Sequence, residues 1–265
     1  MVSLPNHGGE GGIRTLETVL PVYHISSVVL SATQPPLLAK RSIGYTSQLM
    51  KVETVYEAMG KMGRCTDAVL WLTGYQSAVK RFVQALHTET RGQLQSVLDV
   101  GCGTGAFTLE ILRQFPDAHV WACDRDGAML DRLEKKVNRR QWGNRVDLLE
   151  SDIRKPIHRI RGKTFEAIIT AGVLEHLDVE SALPILSAYL EDGGHILNSS
   201  VRDTWIGRTV GKFYGGFKPY ERRELQEAFE IQGFHLRESI SMPPFIPASY
   251  KGAEIYRKNG NHHSV

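Results

Sequence analysis

Val97-Leu98-Asp99-Val100-Gly101-Cys102-Gly103-Thr104-Gly105-Ala106-Phe107 is the stretch whose reading decides the fold of this chain. Val97, Leu98 and Val100 suit a buried central strand. Gly101, Gly103 and Gly105 allow unusual backbone angles and let a ligand lie against bare main chain. A helix is expected to open at Thr104, run through Leu109, Ile111 and Leu112 to Phe115, and stop at Pro116. Its first N–H groups have no partner within the helix, so they point back at whatever the loop holds. Three glycines at one strand-to-helix junction exceed what a ligand-free turn requires.

Two cofactor patterns overlap here. Gly101, Gly103 and Ala106 satisfy the G-x-G-x-x-G/A of a dinucleotide fold. Asp99, Gly101, Gly103 and Gly105 satisfy D-x-G-x-G-x-G. Asp99 separates the two, because a carboxylate at the mouth of the first strand repels a pyrophosphate and favours an ammonium or sulfonium cation. No phosphate-binding lysine follows, which excludes a P-loop. On these residues the stretch resembles motif I of the class I S-adenosylmethionine-dependent methyltransferases, and the likeness runs from about Val97 to Tyr256. The resemblance implies an α/β, Rossmann-like three-layer sandwich. Its seven-stranded sheet is mostly parallel, with the last strand antiparallel. It also implies S-adenosyl-L-methionine as cofactor.

The rest of the chain supplies candidates for each part of such a site. His119-Val-Trp-Ala-Cys-Asp124 reads as a second buried strand, with Asp124 twenty-three positions beyond Gly101. A carboxylate at that place accepts ribose hydroxyls in the doubly wound fold. Arg125 follows, and Met129, one turn into the next helix, is a candidate adenine contact. Arg145 to Ile153 reads as strand three and its exit. The resemblance places Asp152 on the adenine amine and Ile153 on the ring. Phe165 to Leu177 resembles motif IV. Its strand is Ala167 to Ile169, and Thr170 to Val173 line the sheet edge where the sulfonium belongs. Ala171 and Val173 join Asp99, Gly101, Cys102, Gly103 and Gly105 as expected cofactor contacts.

Glu175-His176 comes next. His176 is the candidate catalytic base, since an imidazole is poised near neutral pH; the alternative is that it only packs beside the cofactor. Leu183 to Leu190 is read as a helix and His195 to Ser199 as strand five. The long connection from Arg202 to Tyr220, with Trp205 and Tyr214, is the candidate substrate lid. Trp71 and Tyr75, ahead of motif I, are further candidate acceptor contacts. Arg154, Lys155, His158, Arg159, Arg161 and Lys163 form a basic run that suits an anionic substrate, RNA or a solvated loop. Glu221 to Ile231 is a helix, and Phe234 to Ser241 with Lys251 to Arg257 closes the sheet as an antiparallel pair.

Composition sets the outer bounds. The 265 residues are 42% hydrophobic, carry a net charge of +3 and include 3 cysteines. That is enough for one domain with an appendage, and no charge imbalance demands nucleic acid. Cys65, Cys102 and Cys123 lack metal spacing and suit a reducing compartment, so a cytoplasmic location is expected and a metal is not. No apolar run reaches the roughly 18 residues of a membrane span. We read 1–48 as a disordered or spurious extension, 49–90 as a helical cover, 91–258 as the methyltransferase domain and 259–265 as a tail. Within the first segment, Gly12-Ile13-Arg14-Thr15 and the residues up to Pro36 resemble an antisense-translated transfer RNA gene, which would put the true start at or near Met50.

Methyl transfer from a sulfonium is an in-line displacement in which the protein mainly orients and desolvates the reactants. A base is required only for a protonated nucleophile, so the cofactor site is more legible than the catalytic group. Strand four is followed by Thr170-Ala171-Gly172-Val173, not the [DN]-P-P-[YF] of enzymes acting on base amines. No cysteine stands near strands four and five for five-methylpyrimidine chemistry, and paired glutamates of the arginine-methylating type are absent. The expected acceptor is an O, N or C atom of a small molecule. The alternatives are an RNA methyltransferase, or a non-catalytic cofactor-binding protein of the same fold.

Overall fold

The computed structural model describes residues 74–155, 157–204, 208, 220–243 and 247–260. The chain divides into two units, Met1–Ser42 and Ile43–Val265, and every described residue belongs to the second. The expected N-terminal extension, Trp71, Trp205 and Tyr214 lie outside the described residues.

The described chain runs α1 (Tyr75–Glu89), β1 (Ser96–Val100), α2 (Ala106–Gln114), β2 (His119–Asp124), α3 (Gly127–Arg139), β3 (Val146–Glu150), β4 (Phe165–Ala171), α4 (Val179–Tyr189), β5 (Leu190–Val201), α5 (Arg222–Ile231), β6 (Phe234–Ser241) and β7 (Lys251–Lys258). The seven strands form one sheet in the order β3-β2-β1-β4-β5-β7-β6. The β3-β2-β1-β4-β5 neighbours pair in parallel. β7 inserts antiparallel between β5 and β6. The expected Rossmann-like sheet with an antiparallel last strand is therefore what the chain forms.

Both faces of this sheet are covered, which is why β1 is a near-continuous apolar run rather than an alternating one. On one face α1 and α2 bury Phe82, Leu86, Phe107 and Ile111 against Val97, Val120, Ile169 and Ile255. On the other, α4 and α5 bury Leu183, Leu186 and Phe229 against Leu98, Ile168, Ile196 and Tyr256. Phe229 stacks on Tyr256 with ring centroids 3.8 Å apart. α3 packs Leu130, Leu133 and Val137 onto Ala122 of β2.

Two helix starts differ from the sequence reading. α2 begins at Ala106, not Thr104, because Gly105 at φ 85° is left-handed and acts as the cap. α4 begins at Val179 rather than Leu183. The Asp178 side chain accepts from the Ser181 N–H at 3.2 Å and starts the helix a turn early, which leaves Pro184 inside it.

The reversal of strand order falls between β1 and β4, where the chain leaves β1 in one direction across the sheet and returns in the other. Ligands of doubly wound sheets bind in the crevice outside the strand C-termini at such a point.

Candidate active site

The glycine loop sits at that crevice and its three glycines do different work. Gly101 and Cys102 both donate to the Cys123 carbonyl, at 2.7 and 3.0 Å, which folds the loop back over the end of β2. A Cβ on Gly101 would run into Cγ2 of Val173, and one on Gly105 would run into Leu133 of α3. Those two glycines permit close packing. Gly103, at φ 53°, has nothing within 4 Å of where a Cβ would stand. It is the place in the loop where bare backbone faces open space. The Cys102 side chain packs with Ala122, Leu130 and Leu133, so this residue offers its backbone rather than its thiol. Burial pushes the Cys102 thiol well up and the Cys123 thiol up to about 12, which leaves neither as a nucleophile.

Asp124 closes the cradle at the end of β2. Its carboxylate accepts from the Gly103 N–H at 2.8 Å and the Asp126 N–H at 2.9 Å. Burial raises its pKa, and these two bonds offset part of that rise. Each carboxylate oxygen keeps a further lone pair, as a vicinal diol requires. Asp126 in turn caps α3 through the Ala128 N–H at 2.9 Å. Arg125 is exposed beside it.

Asp99 departs from its expected place at the strand mouth. It is 1% exposed, and its carboxylate accepts from the Thr108 hydroxyl of α2 at 2.5 Å. Desolvation drives its pKa up to about 7, with Thr108 pulling it down and the charge of Asp124 adding to the rise. It ties β1 to α2 beneath the loop rather than standing open to a ligand.

Asp152 also departs from the expectation of an open adenine acceptor. Arg154 Nε lies 2.9 and 3.0 Å from its two oxygens, and Nη2 closes the pair. The Arg154 N–H adds a turn-type bond at 3.0 Å, and this guanidinium holds the carboxyl below its ordinary range. Met129, the expected adenine contact, is 5% exposed in the first turn of α3. Ile153, by contrast, does face a cavity.

That cavity has a volume of about 340 Å³. Val100, Ile153, Val173, Leu174 and Leu186 form its apolar wall, with His176, Thr170 and Arg154 as polar members. His176 ends a short 3-10 turn, Leu174–His176, that follows β4 directly. Burial lowers its pKa, opposed by Glu175 and reinforced by Arg125 and Lys251, so the ring is held neutral near pH 7. Ala171 is the last residue of β4, and Val173 is the residue that leans on Gly101. The structure thus brings Ile153, Val173 and His176 to one cavity, which Val173 joins to the glycine loop at Gly101. Tyr75 is in the first turn of α1 and packs against the α1–α2 core; it does not line the cavity.

The sequence reading gave no role to Asn198, Glu175 or Lys251, which join Thr170 at the far side of this edge. Thr170 donates to Asn198 Oδ1 at 3.0 Å, and both residues are fully buried. Glu175 is 7% exposed and accepts from the Val201 N–H at 2.8 Å. Lys251 starts β7 opposite Val201. A lysine heading the last strand, about 80 residues from motif IV, carries no local signal of its place; only the antiparallel insertion of β7 brings it there.

The strand order, the glycine loop and the carboxylate ending β2 together define a Rossmann-like fold. Residues 97–194 match a family model described as a methyltransferase domain. Among curated proteins, a malonyl-[acyl-carrier protein] O-methyltransferase of Halalkalibacterium halodurans is 32% identical over 125 residues, 45% of this chain and 45% of that protein. A tRNA1(Val) (adenine(37)-N6)-methyltransferase of Vibrio cholerae is 34% identical over 74 residues, 28% of this chain and 30% of that protein. The matches therefore span less than half the length of these relatives. Among solved structures, a magnesium protoporphyrin IX methyltransferase from Synechocystis with bound SAH aligns with a TM-score of 0.58 and 16% identity. That alignment covers 70% of this chain and 84% of that one.

Proposed function

We propose that this protein is an S-adenosyl-L-methionine-dependent methyltransferase acting on an O, N or C atom of a small molecule. The observation that carries the reading is Asp124 hydrogen-bonded to Gly103, the one loop glycine that faces open space. The residues fit the cofactor. Asp124 has lone pairs for a ribose diol, Ile153 and Val173 form an apolar wall for a ring, and Lys136, which reaches the loop from α3, donates to the Thr104 carbonyl at 3.1 Å. Met129 at the start of α3 and Asp152 paired with Arg154 stay candidate adenine contacts, and Asp99 acts from beneath the loop.

When bound, the cofactor supplies an electrophilic methyl and its own leaving group. The chain does the rest. The Gly101–Gly105 backbone and Asp124 fix one reactant, Ile153, Val173 and Leu174 keep water from it, and the Ala171–Val173 turn presents the sheet edge. His176, neutral at the cavity wall, adds a polar group to that apolar surface.

A small-molecule acceptor is supported by the partners of the basic run. Arg154 is held by Asp152, Arg159 donates to the Leu148 carbonyl at 2.9 Å, and Lys163 lies 5.1 Å over the Trp121 ring. These cations are employed within the fold. The Vibrio relative's name raises an RNA acceptor, which would show as salt-sensitive RNA binding lost in an Arg159→Ala, Arg161→Ala variant.

Calorimetric titration with S-adenosylmethionine, S-adenosylhomocysteine and NADH tests the reading. Both sulfur ligands are expected to bind and NADH is not. Asp124→Ala should weaken the sulfur ligands by about 10- to 100-fold, the worth of hydrogen bonds to a charged group. Binding of NADH alone would return the loop to a dinucleotide role and overturn the proposal.

A further inference from the structure

The polar edge of the sheet beyond β4 contains more than a fold needs. Lys251 pairs with Val201 at the last step of the β5–β7 ladder, which puts it at the same edge of the sheet as Ala171. Its Nζ lies 3.8 Å from where a Cβ on Gly172 would stand. Gly172 is the first residue after β4, has φ 70°, and donates to the Ser199 carbonyl at 2.9 Å. A lysine tip therefore hangs over the turn that faces the glycine loop. Among the described residues none hydrogen-bonds Nζ.

Glu175 stands on the turn beside it. One oxygen is held by the Val201 N–H at 2.8 Å, while the other is buried and has no hydrogen-bond partner among the described residues. A buried carboxylate oxygen without a donor is costly unless a donor arrives during function. Asn198 Nδ2 and Glu254 Oε2, in residues 0% and 4% exposed, are likewise buried without partners along this edge. Three orphaned polar atoms on neighbouring strands and turns mark a place built for a polar guest.

We propose that Lys251 takes the proton from the methyl acceptor, that Glu175 receives the resulting ammonium, and that the acceptor docks over the β4–β5–β7 edge. This rests on the methyltransferase reading above. The neutral Nζ accepts the acceptor's proton as the acceptor's electron pair bonds to the methyl carbon of a sulfonium donor. The carbon–sulfur pair stays with sulfur, which becomes a neutral thioether. Positive charge thus leaves the sulfur and appears on Nζ, and total charge is unchanged.

The surroundings suit that exchange. Desolvation lowers the Lys251 pKa and Glu175 raises it, with desolvation the larger influence. His176 on the same turn, Arg125 after β2, Arg202 after β5, Arg222 on α5 and Glu254 on β7 are the other charged or titratable groups that act at this edge. A sulfonium nearby disfavours an ammonium and so favours the neutral amine before transfer. Once the sulfur is neutral, that repulsion is gone and the amine holds its proton.

The test is an NMR titration of lysine ε-carbons in the full chain, with Lys251 assigned by its absence in Lys251→Arg. It is run free, with S-adenosylmethionine and with S-adenosylhomocysteine, alongside calorimetry of both ligands. The Lys251 midpoint is expected below the ordinary lysine range. The sulfonium ligand should lower it by about one unit more than the neutral thioether does. Glu175→Gln, which keeps an oxygen for the Val201 N–H, should lower it further. Ligand binding with a Lys251 midpoint in the ordinary range, or equal midpoints in the two complexes, overturns the assignment while the methyltransferase reading stands. Absence of binding by either sulfur ligand overturns both.

Discussion

Asp99→Asn should flatten the dependence of stability on pH. The carboxyl is 1% exposed, and burial pushes its pKa up to about 7 despite the Thr108 hydroxyl. An unfolded aspartate titrates near 3.9. Between those values the native state keeps a proton that the unfolded state has released, so stability falls as pH rises through this window. Three units at 1.36 kcal/mol each amount to about 4 kcal/mol, absent below about pH 4 and fully expressed above about pH 7. Asparagine keeps an oxygen for the Thr108 O–H and carries no charge. Urea unfolding of both proteins at pH 5, 6, 7 and 8 isolates the contribution of Asp99, because other titrating groups are common to both. The difference in unfolding free energy, Asn minus Asp, should grow by a few kcal/mol from pH 5 to pH 8. Parallel curves would show that Asp99 is ionised in the native state at little cost, and would refute the argument from burial.

Gly105→Ala should cost about 2–4 kcal/mol in the same assay, since φ 85° strains any side chain and the new methyl meets Leu133. Wild-type stability in this variant would mean that α3 yields more readily than its packing implies. Tyr256→Phe should be neutral or stabilising by about 1 kcal/mol, because the hydroxyl is buried without a partner while the ring stays stacked on Phe229; a loss above 1 kcal/mol would reveal a bond to that hydroxyl. Asp178→Ala should lose about 1 kcal/mol through the missing cap of α4, read as a lower denaturation midpoint with unchanged slope.

How far the site was legible depended on the range of the forces that make it. Strand β1, the loop glycines and the position of Asp124 follow from runs of a few residues, and the structure places them as read. Ile153 and His176 follow a strand closely, so motif spacing carried them into the crevice. Asp99 and Met129 have the right residue type at the right spacing, yet Thr108 in one case and the packing of α3 in the other turn them inward. Asp152 meets Arg154 two residues away, a local pairing that the motif pattern does not express.

By itself the sequence determined an α/β class of fold, because apolar strands alternating with amphipathic helices bury both kinds of face in a doubly wound sheet or a barrel, and the likeness of Val97–Phe107 to motif I selected the sheet. It also determined where the glycine loop lies, since left-handed backbone next to a strand end needs glycine. The tertiary structure alone decided which carboxylates are open and which are buried, because desolvation depends on every element packed around a group. It alone also decided that Lys251 stands over Gly172. That meeting is made by β7 inserting between β5 and β6, a pairing between strands about 50 residues apart along the chain that no short stretch encodes.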